Sequence, residues 1–434
     1  MIGGRSRQRS QVLGVSLVVL AVVSLCLMLK ARSPTPPSLQ PDQPLFIPSA
    51  PVRNTTRPYR GIQHLQPLQP FTKQLPQFTR WLPTTPKPQP PRYILDWTGF
   101  YGAHISEAFK DMIGLCPEEP RCLFTHDKNM INQSQAIIFH LRDMDWDWKE
   151  SIPDQTSRSA EQIYILFSFE PPTLSYAGLA EAKNFFNWSM SYRKESNVWL
   201  PHGYFLDWET AAEGEAKHSA VLQTLAKKDK GVAWFASNCA TSSERELYVQ
   251  ALQQHVEVDV FGKCGPNRCP KEGNGSDCER TILSAYKFYL AFENSVCPEY
   301  VTEKFYTYLA EYWVLPVVLK RSVMERKAPK NSFLAADDFE SPEHLAKEIL
   351  RLQNDSEAYA AHFAWLKDQT LVQGFKNGGY HFCQLCRKLE AQPPSSKFRR
   401  IIADADEWWY KKGACEDKFV SKNLLPKTLN SSQL

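Results

Sequence analysis

An uninterrupted apolar segment close to the N-terminus constrains this chain more than any other feature. Residues 12–29 carry no charge and consist mainly of Val and Leu, with three arginines before them and two basic residues after them. Such a helix is just long enough to cross a bilayer core. A secretory signal peptide would have a shorter apolar core and a small-residue cleavage site. The three-to-two charge bias predicts a cytosolic tail at 1–11, an uncleaved anchor at 12–29 and a lumenal remainder.

The segment that follows the anchor is rich in proline. Residues 33–91 hold 16 of the 31 prolines, and Asp42 is their only acidic residue. A chain of this composition cannot bury a core and is expected to form an extended, partly polyproline spacer. We therefore predict a lumenal stem at 30–91. A proline-rich signalling ligand would have to face the cytosol, where this segment is not expected.

The cysteines agree with a lumenal location. Cys26 lies in the anchor, which leaves an even set of ten that predicts disulfides of undetermined connectivity. The ten are Cys116, Cys122, Cys239, Cys264, Cys269, Cys278, Cys297, Cys383, Cys386 and Cys415. The C-x-x-C spacing of Cys383 and Cys386 could instead indicate a redox motif or half a zinc site, but no second metal-spaced pair accompanies it. Six glycosylation sequons lie beyond the anchor, at Asn54, Asn132, Asn187, Asn274, Asn354 and Asn430.

The rest of the chain has the composition of a folded protein. Of its 434 residues, 43% are hydrophobic and 23% are charged, and this length is comfortable for two domains. The net charge of +4 gives no reason to expect a nucleic-acid partner, which would call for a concentrated basic stripe.

Strand-like and helix-like stretches alternate from residue 92 onward, which predicts an α/β fold with a parallel sheet. Strands are predicted at 135–141, 162–169, 231–237, 256–261, 285–292 and 314–319, and helices at 244–254, 301–313 and 343–353. The charged stretch 213–230 lacks a strand pattern and is a candidate domain boundary.

The strongest chemical signal follows the strand-like run 285–292, in the sequence F-E-N-S-V-C-P-E-Y-V-T-E-K. Tyr300, Glu303 and Lys304 are spaced i, i+3 and i+4, which predicts one helix face in the first turn after a strand. Unpaired N–H groups and the helix dipole favour an anion there, and Lys304 adds a positive charge. Asn294 could orient the loop or bind a ribose. An ordinary Glu–Lys surface pair on an amphipathic helix explains the spacing equally well.

The segment 286–319, YKFYLAFENSVCPEYVTEKFYTYLAEYWVLPVVL, resembles the signature of the α1,3-fucosyltransferases of glycosyltransferase family 10. Further stretches resemble the family at 139–143 (FHLRD), 169–172 (FEPP), 186–193 (FNWSMSYR), 201–204 (PHGY) and 258–265 (VDVFGKCG). The resemblance implies a GT-B-like arrangement of two Rossmann-like domains. We expect an acceptor-side domain at 92–225, a GDP-fucose-binding domain at 226–390 and a C-terminal extension at 391–434. With the type II layout, it also implies a Golgi membrane protein.

The resemblance also assigns roles to single residues. Glu170 matches the general base of the family, and Arg245 matches a phosphate-binding arginine. Asn294, Tyr300, Glu303 and Lys304 match the donor-binding positions. On this basis Tyr300 supports the nucleotide, Glu303 holds fucose or ribose hydroxyls, and Lys304 neutralises the diphosphate.

The implied reaction is an inverting transfer of L-fucose from GDP-β-L-fucose to the 3-hydroxyl of GlcNAc in N-glycans or related glycoconjugates. One displacement inverts the anomeric carbon, a carboxylate can take the acceptor proton, and two fixed cations can stabilise the departing GDP. No cofactor or metal is then required, although stimulation by a divalent cation stays open. Three D-x-D patterns, at 143–145, 145–147 and 404–406, are better explained as helix-capping or surface acids.

Two positions depart from the family pattern. Lys320 stands where the family commonly has glycine, and Pro171 follows Glu170 where the family usually has serine. The alternative to an enzyme is a catalytically silent, membrane-anchored glycan-binding relative of the same fold. The joint presence of four residues argues against it: Glu170, Arg245, Glu303 and Lys304. The sequence does not separate a core GlcNAc acceptor from an outer-branch acceptor.

Overall fold

The computed structural model of the chain describes residues 91–109, 122–175, 177–268, 275–374, 379–391 and 401–425. The predicted tail, the anchor and all but the last residue of the predicted stem lie outside these ranges. Within them, no helix combines the length and apolar character that are needed to span a bilayer.

The first part of the described chain forms a six-stranded sheet. Its strands are β1 Arg92–Asp96, β2 Cys122–Thr125, β3 Ser134–His140, β4 Ile163–Ser168, β5 Trp188–Ser191 and β6 Val198–Trp199, with a short helix α1 at Ile105–Ala108. The strands are all parallel, in the order β2-β1-β3-β4-β5-β6. Strands β3 and β4 are apolar and almost entirely buried because side chains cover both faces of a parallel sheet.

The second part forms a five-stranded sheet. Its strands are β8 Lys230–Phe235, β9 Val258–Phe261, β10 Tyr286–Leu290, β11 Leu315–Val318 and β12 Leu334–Ala335. They are parallel in the order β12-β11-β10-β8-β9, and one large hydrophobic core surrounds them. The helices around this core are α2 Ala211–Leu225, α3 Arg245–Leu252, α4 Gly275–Leu283, α5 Glu303–Tyr312, α6 Arg321–Met324, α7 Pro342–Asn354 and α8 Ser356–Ala361.

A short antiparallel pair joins a strand that precedes the second sheet in the chain to a strand that follows it. Strand β7, Gly203–Asp207, pairs with β13, Gln369–Gln373. The stretch 213–230, which the sequence analysis marked as a candidate boundary, is mostly helix α2. That helix begins with a capping box, in which the Thr210 side chain accepts from the backbone N–H of Glu213 and Glu213 reaches back to Thr210.

The chain returns to the first sheet after β13. Helix α9, Gly379–Ala391, packs against it through Phe382, Leu385 and Leu389. We call residues 401–425 the C-terminal segment; it contains a short π-helical turn at Glu407–Lys411 and helix α10, Phe419–Asn423.

The C-terminal segment contacts both sheets. Trp409 is fully buried in a core beside the first sheet, and the Tyr410 hydroxyl donates to the carbonyl oxygens of Ser175 and Ala177 at 2.9 and 2.6 Å. Farther along, Val420 joins the core of the second sheet. Trp408, Trp409 and Tyr410 thus pack back on the folded chain.

Disulfides join helix α9 and the C-terminal segment to earlier parts of the chain. Within the described residues, bonds join Cys122 to Cys386, Cys239 to Cys264, and Cys297 to Cys415. Cys278 and Cys383 are also disulfide-bonded. Cys383 and Cys386 are therefore not partners of each other, and the redox-motif interpretation of their spacing does not hold.

The α/β class with parallel sheets is confirmed, and the predicted strands and helices agree with the observed ones to within about two residues at most ends. Strands β1, β2, β5, β6, β7, β12 and β13 were not predicted. Several of these have only two to four residues, too few for an apolar run to stand out. The domain boundaries stay predictions.

Candidate active site

The candidate site lies where the loops after β4 and β10 meet. These loops follow the carboxyl ends of central strands in the two sheets, the end at which parallel α/β sheets bind ligands. Two side-chain hydrogen bonds join the loops: the Tyr300 hydroxyl donates to Glu170 Oε2 at 3.0 Å, and the hydroxyls of Thr173 and Ser295 are 2.6 Å apart. The predicted base and donor-side residues are thus brought together from 130 residues apart in sequence.

Glu170 has a hydroxyl donor on each carboxylate oxygen. Besides Tyr300 on Oε2, the Tyr101 hydroxyl donates to Oε1 at 2.9 Å. Burial and the neighbouring Glu170 carboxylate raise the pKa of both phenols, so that each stays a protonated donor. Tyr101 was missed from the sequence because its loop, T-G-F-Y-G, carries no recognisable motif.

Tyr300 does not lie on the helix that the i, i+3, i+4 spacing predicted. Helix α5 begins only at Glu303, because the Thr302 hydroxyl caps it by accepting from the backbone N–H of Lys304 at 3.4 Å. The prediction that Tyr300 shares a helix face with Glu303 and Lys304 is therefore wrong. Tyr300 precedes the cap residue, and its hydroxyl donates to Glu170.

Glu293 determines where that helix starts, and it too was missed. Its carboxylate accepts from the Thr302 backbone N–H at 2.8 Å and from the Thr302 hydroxyl at 2.8 and 3.0 Å. The same carboxylate lies 3.3 Å from Lys304 Nζ. The signal was its place in F-E-N, directly after a buried strand.

Lys304 lies among three oxygen partners. Its Nζ is 3.0 Å from the Thr302 hydroxyl, 3.1 Å from Glu303 Oε1 and 3.3 Å from Glu293 Oε2. Burial by itself lowers the pKa of Lys304, but the two carboxylates outweigh burial and raise it above its ordinary value. The ammonium is therefore a fixed positive charge at the start of α5.

Glu303 is held ionised by neighbouring basic side chains. Burial raises its pKa, but Lys304 and His202, whose Nδ1 is 3.6 Å from Glu303 Oε2, lower it to about 2. His202 belongs to the P-H-G-Y stretch of the first half of the chain. A carboxylate that is ionised at neutral pH and half-exposed can accept hydrogen bonds from sugar hydroxyls.

Arg245 begins helix α3 and is almost completely buried, with 3% of its surface exposed. Its guanidinium donates to the carbonyl oxygens of Phe292 at 2.6 Å and Asn238 at 3.2 Å, and it lies 5.7 Å from the Trp234 ring centre. Burial lowers its pKa. Arg245 thus joins the loop after β10, through Phe292, to the loop after β8, through Asn238, while Nε has no hydrogen-bond partner in the described part of the chain.

Asn294 lies four residues beyond the end of β10, and its backbone carbonyl accepts from Ser243 N–H at 3.0 Å. Its side-chain oxygen is buried and has no partner among the described residues. Asn294 therefore ties the loop after β10 to the turn that precedes helix α3.

A pocket with about 340 Å³ of solvent-open space adjoins these residues. Glu293, Ser295, Tyr300 and Lys320 supply its polar lining, and the remainder is mostly apolar, from Ala291, Val296, Val301, Val318, Leu319, Val323 and Met324.

Lys320 lies at the edge of this pocket and turns toward the C-terminal segment. Its ammonium forms an ion pair with Glu416 and lies 5.3 Å from the Phe419 ring centre. Pro171, the second departure, precedes the 3₁₀ turn Pro172–Leu174 and is buried there.

The D-x-D acids are occupied by capping and local bonds. Asp143 accepts from Tyr101 N–H at 2.7 Å and lies 2.6 Å from His140 Nδ1, and Asp147 caps a 3₁₀ turn. Asp145 accepts from the Ser151 hydroxyl and Asp404 from the Glu407 N–H. In the described ranges, no cluster of three or more His, Cys, Asp or Glu side chains could hold a metal ion.

Three of the six sequon asparagines are described. Asn132 and Asn354 are exposed. Asn187 is 3% exposed, and its side-chain oxygen accepts from Tyr164 N–H at 2.9 Å and Arg158 at 2.7 Å, which leaves no room for a glycan. Asn54, Asn274 and Asn430 lie outside the described residues, as do Cys116 and Cys269.

Two family models match the chain. The model described as "Fucosyltransferase, N-terminal" matches residues 89–203, and "Glycosyltransferase family 10 (fucosyltransferase) C-term" matches residues 225–408. Together they cover both sheets and every residue of the candidate site.

Similar proteins occur in distant animals. The chain is 36% identical over 322 residues to 3-galactosyl-N-acetylglucosaminide 4-alpha-L-fucosyltransferase FUT3 of Pan troglodytes, covering 74% of this chain and 82% of that protein. It is 35% identical over 316 residues to 4-galactosyl-N-acetylglucosaminide 3-alpha-L-fucosyltransferase FUT5 of Homo sapiens, covering 72% and 80%. It is 30% identical over 344 residues to alpha-(1,3)-fucosyltransferase fut-1 of Caenorhabditis elegans, covering 77% and 72%.

Among solved structures, a crystal structure of α1,3-fucosyltransferase with GDP-fucose is similar, with a TM-score of 0.46 and 16% identity. The match covers 72% of this chain and 94% of that one.

Proposed function

Because the chain belongs to the fucosyltransferases of glycosyltransferase family 10, we propose that it transfers L-fucose from GDP-β-L-fucose to the 3-hydroxyl of a GlcNAc residue, with inversion. It is an enzyme of the α1,3-fucosyltransferase class. The acceptor is a GlcNAc residue of N-glycans or related glycoconjugates.

The observation that carries this proposal is the position of Glu170. Glu170 follows strand β4 of the first sheet, its carboxylate accepts from Tyr300 in the loop after β10, and the residue is partly exposed. A carboxylate fixed at the meeting point of two ligand-binding sheet edges can take the proton of an acceptor hydroxyl as that oxygen bonds to the anomeric carbon. Glu170 is therefore the general base of the proposed transfer.

The donor side supplies fixed positive charge for the leaving GDP. Lys304 stays protonated because Glu293 and Glu303 hold its pKa above the ordinary value. An ammonium at the N-terminus of α5, together with the helix dipole, stabilises the charge that develops on the diphosphate. Arg245 supports the same region by holding the loop after β10, with Nε left to meet a phosphate oxygen.

The remaining donor-side residues fit recognition of sugar and nucleotide. Glu303, ionised and half-exposed, accepts hydrogen bonds from fucose or ribose hydroxyls. Tyr300 lines the apolar pocket that would receive the nucleotide, and Asn294 lies in the chain between Glu293 and Ser295, which also line it. With two cations fixed by the fold, the proposed mechanism needs no metal.

We further propose that the enzyme is a single-pass type II protein of the Golgi membrane. The apolar segment 12–29 is its signal anchor, residues 30–91 are its stem, and the GT-B-like catalytic part is lumenal. The three disulfides and the even number of lumenal cysteines support an oxidising compartment.

The test uses a secreted form, residues 92–434, with GDP-fucose and two acceptors in parallel. One is an N-acetyllactosamine oligosaccharide; the other is an N-glycopeptide with terminal GlcNAc branches and an unmodified core. We expect α1,3-linked fucose on at least one product, which linkage analysis identifies, and the productive acceptor distinguishes branch from core specificity. The Glu170→Gln variant is the matched control: it should bind GDP like the wild type and transfer no fucose.

The same secreted protein distinguishes the proposed enzyme from a silent glycan-binding relative. A silent relative without a donor site shows no thermal shift with GDP and no transfer to either acceptor. That result would contradict the proposal.

A further inference from the structure

Tyr101 contacts the Glu170 carboxylate from outside the short motifs that pointed to the family in the sequence. It belongs to the loop between β1 and α1, on the same side of the site as Glu170 itself. Its hydroxyl donates to Glu170 Oε1 at 2.9 Å, although 48% of the residue is exposed. An exposed tyrosine gains little by such a bond unless its position is fixed by other means.

The backbone at Tyr101 is fixed in a conformation that tyrosine rarely adopts. Its φ is +52°, in the left-handed region, and it lies between Gly99 at +84° and Gly102 at +79°. Side chains with a Cβ are disfavoured there, and residues held in this region cluster at functional sites. A glycine at this position would relieve the strain, but it would remove the hydroxyl.

A second set of bonds holds the loop in place. The Tyr101 N–H donates to Asp143 Oδ2 at 2.7 Å, and that oxygen is 2.6 Å from Nδ1 of the fully buried His140. The Tyr101 ring lies edge-on to the His140 ring, with 5.2 Å between ring centres. Asp143 thus links the strained backbone to a buried ring in the core of the first sheet.

We propose that Tyr101 is a positioning residue for Glu170 in fucosyl transfer. Tyr101 and Tyr300 each donate to one oxygen of the Glu170 carboxylate, so that the plane of the carboxylate is fixed before the acceptor arrives. This inference rests on the proposed function, because it assigns Tyr101 a role only through Glu170 as the base.

The step itself leaves Tyr101 chemically unchanged. The acceptor hydroxyl donates to a remaining lone pair of Glu170, its oxygen bonds to the anomeric carbon, and its proton passes to the carboxylate. The bond from that carbon to the β-phosphate oxygen breaks, and GDP leaves with the electron pair. The Tyr101 proton stays on its phenol, whose pKa burial and Glu170 raise.

The test compares Tyr101→Phe with the wild type in the transfer assay. This change removes only the hydroxyl and keeps the ring that packs on His140. A hydrogen bond to a charged group at this distance predicts a fall in kcat of about tenfold or more. The KM for GDP-fucose, the affinity for GDP and the Tm should stay within about twofold or a few degrees of the wild type.

Tyr192→Phe is the matched control. The Tyr192 ring is 5.2 Å from that of Tyr300, but its hydroxyl has no hydrogen-bond partner in the described part of the chain. We expect wild-type kcat. An equal loss in both variants would show that any tyrosine hydroxyl near the site has this effect, and would overturn the proposal.

A second background separates positioning from a general structural role. In Glu170→Asp the carboxylate is one methylene shorter and cannot reach both hydroxyls, so adding Tyr101→Phe should cost less than about twofold further. The same tenfold loss in both backgrounds would mean that Tyr101 does not act through Glu170, and would refute the inference.

A pair of backbone variants keeps the proposal testable if the phenylalanine protein folds poorly. Tyr101→Gly and Tyr101→Ala both lack the hydroxyl, and glycine should be the more stable because φ is positive. Both should lose transfer while GDP binding persists. Wild-type transfer in either variant overturns the proposal, and absence of transfer by the wild-type protein removes its premise instead.

Discussion

Two buried lysines at opposite edges of the second sheet show how the same side chain serves function or structure. Lys304 lies at the carboxyl edge, beside the carboxylates of Glu293 and Glu303, and its pKa is raised. Lys228 lies at the amino edge, two residues before β8, and its Nζ donates to three backbone carbonyls at 2.8 to 3.2 Å. Burial lowers the pKa of Lys228 to about 7.

The difference between them is the charge of their partners. Carbonyl oxygens satisfy the donors of Lys228 but do not repay the full cost of burying its charge, whereas carboxylates do so for Lys304. The carbonyls are those of Leu283, Ser284 and Tyr286, so Lys228 closes the end of helix α4 onto the start of β10. We infer that Lys228 serves stability and Lys304 serves the donor.

The largest expected effect is on stability, from Lys228→Ala. The change leaves three carbonyls without their donor and opens a cavity, which should lower the free energy of unfolding by about 3 kcal/mol. Chemical denaturation measures it, and GDP affinity of the folded fraction should not change. A loss of GDP affinity without a loss of stability would reverse the two assignments.

The next effect is on binding, from Lys304→Ala. Removal of the ammonium leaves two carboxylates facing the diphosphate, and GDP affinity should fall about a hundredfold, as measured by calorimetry. Lys304→Arg keeps the charge and should retain part of the affinity. Unchanged GDP affinity in Lys304→Ala would refute the phosphate role of Lys304.

A smaller effect follows from pH. The folded pKa of Lys228, about 7, is below its ordinary value of 10.5, so the unfolded chain binds more protons between these values. The contribution of Lys228 to stability therefore rises with pH across that window, by at most about 1.4 kcal/mol per pH unit. The difference in unfolding free energy between the wild type and Lys228→Met, measured at pH 7 and 9, should grow in favour of the wild type.

GDP-fucose binding, which we assign to the carboxyl edge, should not depend on pH over the same range. Glu303 has a pKa lowered to about 2, so its ionic contribution is present above its ordinary range and is lost only as the pH falls toward 2. Lys304, with its raised pKa, stays charged until the pH rises past its ordinary range. Any pH dependence of GDP-fucose binding between pH 6 and 9 that disappears in Lys304→Arg would contradict this.

The smallest effect concerns Lys320. Lys320 and its partner Glu416 are both partly exposed, so their ion pair should contribute less than about 1 kcal/mol to stability. Lys320→Met and Glu416→Gln should each change GDP affinity by less than about fivefold, in titrations at equal ionic strength. A much larger loss for Lys320→Met alone would place its ammonium on the diphosphate.

Local pattern was sufficient to predict the central strands and helices of the second sheet. Strand β10, helix α5 and strand β11 were predicted close to their observed ends because buried runs and helical spacing are properties of adjacent residues. The start of α5 was misjudged because Glu293, nine residues upstream, binds Thr302 and fixes the cap there. Spacing alone cannot show which residue ends a loop.

The acceptor side was harder to predict because its contacts join distant loops. Glu170 was assigned only through the family resemblance, and Tyr101, 69 residues away, carried no pattern at all. A positive φ at a tyrosine arises from the tertiary bonds of Asp143 and is not a preference of the residue. Most of the candidate donor-side residues stand in one continuous motif, with Arg245 as the exception, whereas the contacts of Glu170 come from separate ones.

The C-terminal segment has a consequence for biosynthesis. Glu416 N–H donates to the Val296 carbonyl at 2.7 Å, Lys418 N–H to the Ser242 carbonyl at 2.7 Å, and Cys415 bonds to Cys297, all beside the loops of the candidate site. These contacts span more than a hundred residues, and chains are made from the N-terminus onward. The second sheet can therefore emerge from the ribosome and collapse while its ligand-binding edge is still open. Only after the last turns of the chain have been synthesised can the edge be closed, so a nascent enzyme is expected to acquire donor binding late, after most of its fold.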